Sequence, residues 1–231
     1  MKIAIDGPAA AGKTTLAKGL AKKLGFWYID TGALFRAYSL YLLRSGIKSD
    51  EKRRISDLAK IPDYFQNKVD VRFTESGKMK IFIEGKEVDD SELRTQEVGM
   101  MASDIGTISE VRHMLLRMER RLAYVGDKVM EGRDITSVVL SDAELKIYLT
   151  ATIGERTQRR YKELVMRQDK EPDYTEIQTQ LVQRDHQDMN RAEAPLKRVS
   201  DAVYIDSTGM SANEVLDKVL GLIEQCRQHM K

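Results

Sequence analysis

One eight-residue stretch constrains this chain more than any other. Gly7-Pro8-Ala9-Ala10-Ala11-Gly12-Lys13-Thr14 fits the pattern G-x-x-x-x-G-K-[ST] at every fixed position, and Thr15 follows. The surroundings fit too. Ile3-Ala4-Ile5 reads as a short buried strand. After the loop, Leu16, Ala17, Leu20 and Leu24 recur at helical spacing, with Lys18, Lys22 and Lys23 off that stripe, and Gly25 ends the helix. Glycines let backbone N–H groups close on phosphate oxygens, and the helix N-terminus adds a favourable dipole. Gly7, Pro8, Ala9, Ala10, Ala11, Gly12, Lys13, Thr14 and Thr15 are therefore read as a nucleoside-triphosphate site. Lys13 would reach the outer phosphates, and the Thr14 hydroxyl would ligate Mg²⁺. A chance glycine turn would not bring the flanking strand and helix with it.

The chain has 231 residues, enough for one good core and a small insert at about 150 residues per domain. Its net charge of +2 argues against a bulk nucleic-acid binder. The lone cysteine, Cys226, has no internal disulfide partner, which suits a reducing compartment. No apolar run approaches the roughly 20 residues that span a bilayer. The first strand leaves no room for a signal peptide, so the expected location is cytoplasmic, with no membrane partner.

Phe26 to Ile29 reads as a second strand, and Asp30-Thr31-Gly32 as a turn opening a helix to about Ser45, with Leu34, Tyr38 and Leu42 on its buried face. A polar helix spans about 50–60. Val69, Val71 and Phe73 alternate with polar residues, as do Met79, Ile81 and Ile83 after the Ser76-Gly77 turn, so a β-hairpin is expected, with Glu87-Val88 as a third strand. Helices follow over 91–106 and 109–125; in the second, Val111, Met114, Leu115, Met118 and Leu122 form the stripe and Arg112 lies off it. Further strands are expected at 129–131, 145–149 and 202–205. Thr152 to Glu155 and Ser211 to Glu214 read as capping boxes. The helix after Thr152 carries Arg156, Arg159, Arg160 and Arg167, and another runs over 174–193. Strands alternating with helices imply an α/β fold: a five-stranded parallel sheet with helices on both faces and an antiparallel β insert.

Three constellations point to phosphoryl transfer rather than simple nucleotide binding. Arg36 follows the second strand, near the sheet edge where ligands bind, and its guanidinium can hold a second phosphate or stand as a solvated helix arginine. Glu131-Gly132-Arg133-Asp134 again follows a strand directly, either as a site or as a surface turn with an internal ion pair. Arg156, Arg159 and Arg160 crowd one side of a helix, and Arg184, Asp188 and Arg191 share a face of the next. Phosphoryl transfer spreads negative charge over oxygens and is catalysed mainly by positioning and charge stabilisation, which gives such a set a purpose.

Ile5-Asp6-Gly7-Pro8, Asp30-Thr31-Gly32-Ala33, Arg94-Thr95-Gln96-Glu97-Val98, Glu131-Gly132-Arg133-Asp134, Asn190-Arg191-Ala192 with Ala194-Pro195-Leu196, and Asp206-Ser207-Thr208 together resemble bacterial cytidylate kinase, in order from about residue 2 to the last helix. The resemblance implies a P-loop core (1–61, 96–151 and 173–231), a monophosphate-binding insert (62–95) and a helical lid (152–172). It implies ATP or dATP as donor with Mg²⁺, CMP or dCMP as acceptor, no nucleic acid, and a monomer. The catalytic set it implies is Lys13, Arg133, Arg156, Arg160 and Arg191. The CMP set is Thr31, Arg36, Ser103, Arg112, Arg133, Asp134, Arg184, Asp188 and Arg191, with Ser103, Arg112 and Asp134 reading cytosine. Two departures stand out. Phe35 replaces the family's Tyr, and Ile135-Thr136-Ser137-Val138-Val139 replaces Gly-Thr after Asp134, where Thr136 is expected to stiffen the loop. Alternatives are a kinase for another nucleoside monophosphate or a small hydroxy-acid, and a nucleotide switch without turnover.

Overall fold

The computed structural model describes residues 1–124, 126–166 and 171–229. The chain forms two compact units, Met1–Leu24 with Glu131–Lys231, and Gly25–Met130. The first unit holds β1 (Lys2–Asp6), α1 (Lys13–Leu24), β7 (Leu145–Thr150), α7 (Ile153–Val165), α8 (Tyr174–Asn190), β8 (Val203–Asp206) and α9 (Ala212–His229). The second holds β2 (Trp27–Asp30), α2 (Thr31–Arg44), α3 (Lys52–Lys60), β3 (Val69–Phe73), β4 (Met79–Ile83), β5 (Lys86–Glu87), α4 (Asp90–Leu93), α5 (Gln96–Ile105) and α6 (Ser109–Ala123). The remaining strand, β6 (Lys128–Gly132), carries the chain from the second unit back into the first.

The parallel sheet runs β2-β6-β1-β7-β8, and a separate antiparallel sheet runs β3-β4-β5. In the first unit Ile3 and Ile5 of β1 register with Leu145 and Ile147 of β7, and Leu149 registers with Ile205 of β8. These side chains are almost wholly buried, as expected for parallel strands covered by helices. Ser211 and Glu214 exchange the two hydrogen bonds of a capping box at α9. Cys226 is half-buried on that helix.

The second unit has its own core. Leu34, Tyr38 and Leu42 of α2 are fully buried with Phe65, Met114 and Leu115, so the four-residue stripe read from sequence is the packed face. Trp27 stacks on Phe73 at 4.6 Å between centroids. Lys128 lays its ammonium 4.4 Å from the Trp27 ring centroid, a cation–π contact. Gly77, at φ +74°, lets the hairpin turn pass so close that a Cβ there would sit 2.9 Å from Trp27.

Five local expectations change. The helix expected over 91–106 is two helices, because the Thr95 hydroxyl accepts the Val98 N–H at 3.3 Å and starts a new one. The third strand is Lys86–Glu87; Val88 is buried beyond it, its N–H on Ile81 O. Asp30 ends β2 and caps α2 at once, accepting the Ala33 N–H at 3.0 Å, so no turn intervenes. Thr152 caps α7, but its own N–H donates to Thr208 Oγ1 rather than to Glu155. Helix α8 stops at Asn190, three residues early, with Arg191 extended. Val125, where α6 was expected to end, and Arg167 lie outside the described residues.

Candidate active site

In the first unit the glycine-rich loop joins β1 to α1. Gly7 has φ +152°, and a Cβ there would lie 1.9 Å from Leu149 O, so only glycine fits. Ala10 adopts φ +58°, a conformation that non-glycine residues rarely hold. The loop's carbonyl groups are bonded in turn. Pro8 O accepts from Lys13 Nζ at 2.7 Å, Ala9 O from Arg156 at 3.1 Å, Ala11 O from Arg159 at 3.2 Å, and Gly12 O from the Leu16 N–H at 3.0 Å. The first N–H groups of a helix have no intrahelical partner, and α1 begins directly at the loop, an arrangement suited to an anion.

Lys13 is 5% exposed. Burial, reinforced by Arg133 and Arg184, lowers its ammonium to a pKa of about 7 against the pull of Glu131 and Asp188. A polyphosphate beside it would supply negative charge that favours the protonated form. Around it stands a cluster of paired charges. Arg133 Nε donates to Asp188 Oδ2 at 2.7 Å, and Arg191 lies 3.6 Å from Asp188 and 3.4 Å from Asp134. Arg191 is aimed by hydrogen bonds to Ala194 O. Burial favours the neutral form of Asp188, but Arg133, Arg184 and Arg191 outweigh it and hold the carboxyl below its usual range. Arg133 and Asp134 therefore pair with the end of α8, not with each other as a surface turn would.

Residues Ile135–Val139 form a π-helical turn. The buried Asp6 carboxylate anchors it, accepting from the Ile135 N–H at 2.9 Å, the Thr136 N–H at 2.7 Å and the Thr136 hydroxyl at 2.6 Å. Thr136 thus fastens the turn to β1 and does more than stiffen it.

The structure spends Arg156 differently from the sequence expectation. Its guanidinium is buried, ion-paired to Asp185, and bonded to Ala151 O and Ala9 O. Arg159, singled out in sequence only as a neighbour, donates to Ala11 O, Ser207 Oγ and Ser207 O and pairs with Glu155. Arg160 is half-buried beside Glu163, apart from the loop contacts. Sequence reading missed Asp185. The signal was there: Ile177, Leu181 and Asp185 follow at four-residue spacing, so an acid continues an apolar stripe, and all three are buried.

The second unit carries Thr31, Arg36, Ser103 and Arg112. Arg36 pairs with Asp30 at 2.7 Å, and Arg94 reaches the same oxygen at 3.2 Å. The Arg36 Nε is buried without a hydrogen-bond partner. Arg112 is 7% exposed, not on the solvent side of α6. It donates to Gly106 O at 3.4 Å and lies 5.7 Å from the centroid of Phe35. Phe35 therefore supplies a ring face to the guanidinium, a contact that needs no hydroxyl. Ser103 is half-buried on α5.

The family model described as cytidylate kinase matches residues 3–225. A cytidylate kinase of Caldicellulosiruptor saccharolyticus is 44% identical over 222 residues, 96% of this chain and 95% of its own length. That of Thermosipho melanesiensis is 41% identical and covers 98% of both chains. Among solved structures, an uncharacterized protein from Eubacterium ventriosum superposes with a TM-score of 0.53 at 12% identity, covering 97% of this chain and 98% of that one, a likeness of fold alone. With the phosphate loop and the paired charges around Lys13 in place, the family match over nearly the whole length settles the assignment: this chain belongs to the cytidylate kinase family.

Proposed function

We infer that the protein transfers the terminal phosphoryl group of ATP, or dATP, to CMP or dCMP. A phosphate oxygen of the acceptor forms the new bond to the γ-phosphorus, the bond from that phosphorus to the β–γ bridging oxygen breaks, and ADP (dADP from dATP) leaves with CDP or dCDP. One observation carries the reading: Arg133 pairs with Asp188 at 2.7 Å, and Arg191 lies 3.6 Å from Asp188 and 3.4 Å from Asp134, in the unit that holds the phosphate loop and its buried Lys13. Such a set can offset charge as it spreads over the transferring oxygens. Lys13 and the loop N–H groups would hold the donor phosphates. Arg36, Arg133 and Arg191 would hold the acceptor phosphate, with Arg184, Asp188 and Thr31 near the acceptor nucleotide. Residues 152–172 would act as the lid, with Arg160, paired with Glu163 along the same helix, as the arginine that would reach the transferring group.

The described residues contain no group of three or more His, Cys, Asp or Glu side chains that could cage a metal. Mg²⁺ keeps several waters and binds largely through substrate phosphates, so it would arrive with the nucleotide. Thr14 would contribute its hydroxyl, and the ion would supply charge neutralisation of the β and γ oxygens. No helix among the described residues is long and apolar enough to cross a membrane.

Base choice follows from donor and acceptor types. Cytosine offers an amino donor at N4 and acceptors at N3 and O2. Ionised Asp134 only accepts, Arg112 only donates, and Ser103 does either. Uracil reverses the first two edges and would set its O4 against the Asp134 carboxylate and its N3–H against the Arg112 guanidinium. An acceptor panel of CMP, dCMP, UMP, AMP and GMP with ATP and Mg²⁺ tests the proposal. CMP should exceed UMP by at least about 10²-fold in kcat/KM, and Asp134→Ala should narrow that ratio. Equal losses on both substrates would remove Asp134 from base reading, and a flat panel would sink the reaction itself.

A further inference from the structure

We propose that Asp185 is a positioning residue of the phosphate loop, acting through Ala9 and through Arg156. Asp185 Oδ1 accepts the Ala9 N–H at 3.0 Å. Its other oxygen holds Arg156, whose same Nη1 donates to Ala9 O at 3.1 Å. One buried ion pair therefore grips both sides of a single loop residue. The next residue is Ala10, at φ +58°, so the grip sits where the loop is least able to hold its own shape. Ala9 also packs on Ile177 and Leu181 of α8, with Ile153, Tyr161 and Leu164 of α7 against the same cluster. Arg159 adds a second prop at Ala11 O. These bonds all fall on the loop's carbonyl side or on the Ala9 N–H. The remaining N–H groups are thus fixed in direction before any phosphate arrives, which lowers the ordering cost of binding. Arg156 is a strut of the donor site and not a group that reaches the transferring phosphoryl.

The inference rests on the reading of this loop as an ATP site, and its test uses direct binding so that the two can fail separately. Equilibrium binding of ATP without acceptor, KM for CMP and thermal stability are measured for Asp185→Asn, Asp185→Ala and the double variant Arg156→Met/Asp185→Leu. Asp185→Ala should weaken ATP binding by at least about tenfold while KM for CMP shifts less than about twofold. Asp185→Asn keeps an acceptor for the Ala9 N–H and should fall between wild type and Asp185→Ala. The double variant has no unpaired buried charge, so its stability should return toward wild type, while its ATP affinity stays low. ATP affinity that recovers together with stability, or that falls in step with CMP affinity, overturns the proposal, because either outcome is what a purely structural ion pair gives. ATP binding unchanged in all three variants does the same. Wild-type protein that binds ATP but does not phosphorylate CMP would instead strike at the reaction and leave the positioning role to the binding data.

Discussion

At the scale of the residue, Lys13 concentrates the tension between stability and function. An ammonium that is nearly inaccessible and close to Arg133 is costly to keep charged, which is why its pKa falls to about 7. The sign is definite. Between about pH 7 and the ordinary lysine value near 10.4 the unfolded chain binds the extra proton, so this residue's contribution to stability improves as pH rises through that window. Lys13→Met should therefore fold, and should be more stable than wild type below pH 7, with the advantage shrinking toward about pH 10. Its transferase activity should drop by at least about 10²-fold. Near wild-type turnover would mean that this loop is not the donor site. Proton accounting gives a second readout on the intact protein. Calorimetry of ATP binding in buffers of different ionisation enthalpy should show uptake of close to one proton at about pH 8 and little at about pH 6.

At the scale of the element, the π-helical turn 135–139 shows what a single hydroxyl can hold. The carboxylate of Asp6 is wholly buried, and burial raises its pKa even though three hydrogen bonds from Thr136 and Ile135 oppose the rise. Thr136→Val removes one of those bonds without changing shape much. It should cost about 1–3 kcal/mol at neutral pH, measured by denaturant unfolding. The difference should shrink on acidification, as the carboxyl takes its own proton; a pH-independent loss would instead point to packing. Much at this scale was legible in sequence. The strands of the parallel sheet, the stripe of α2, the hairpin and the cap of α9 follow from periodicity and turn chemistry. What escaped did so for a common reason: a side chain was claimed by a partner distant in sequence. Asp6 claims Thr136, Thr208 takes the Thr152 N–H that a capping box would give to Glu155, and Asp185 claims Arg156. Spacing along one helix marks Arg156 and Arg160 as equivalent; only the fold separates the buried strut from the arginine paired with Glu163.

At the scale of the whole molecule, two units with separate cores divide the side chains of the proposed reaction. The phosphate loop and its arginine cluster belong to the first, Ser103 and Arg112 to the second. Hydrogen exchange should register that division. ATP alone should slow exchange in residues 7–15 and in the first turns of α7, whose Arg156 and Arg159 hold the loop. Protection in α2 and α6 should stay near its ligand-free level; an equal response there would count against a donor site confined to the first unit. Trp27 gives the second unit a further property. It is the chain's single tryptophan, 42% exposed, with Phe73 against one face and the Lys128 ammonium over its ring. The protein thus carries one indole fluorophore, set at the seam between β2 and the hairpin. Its emission colour reports whether that seam is shut. An unfolding curve followed by indole light reads the surroundings of Trp27 in the second unit, whereas tyrosine emission and circular dichroism sum over both units.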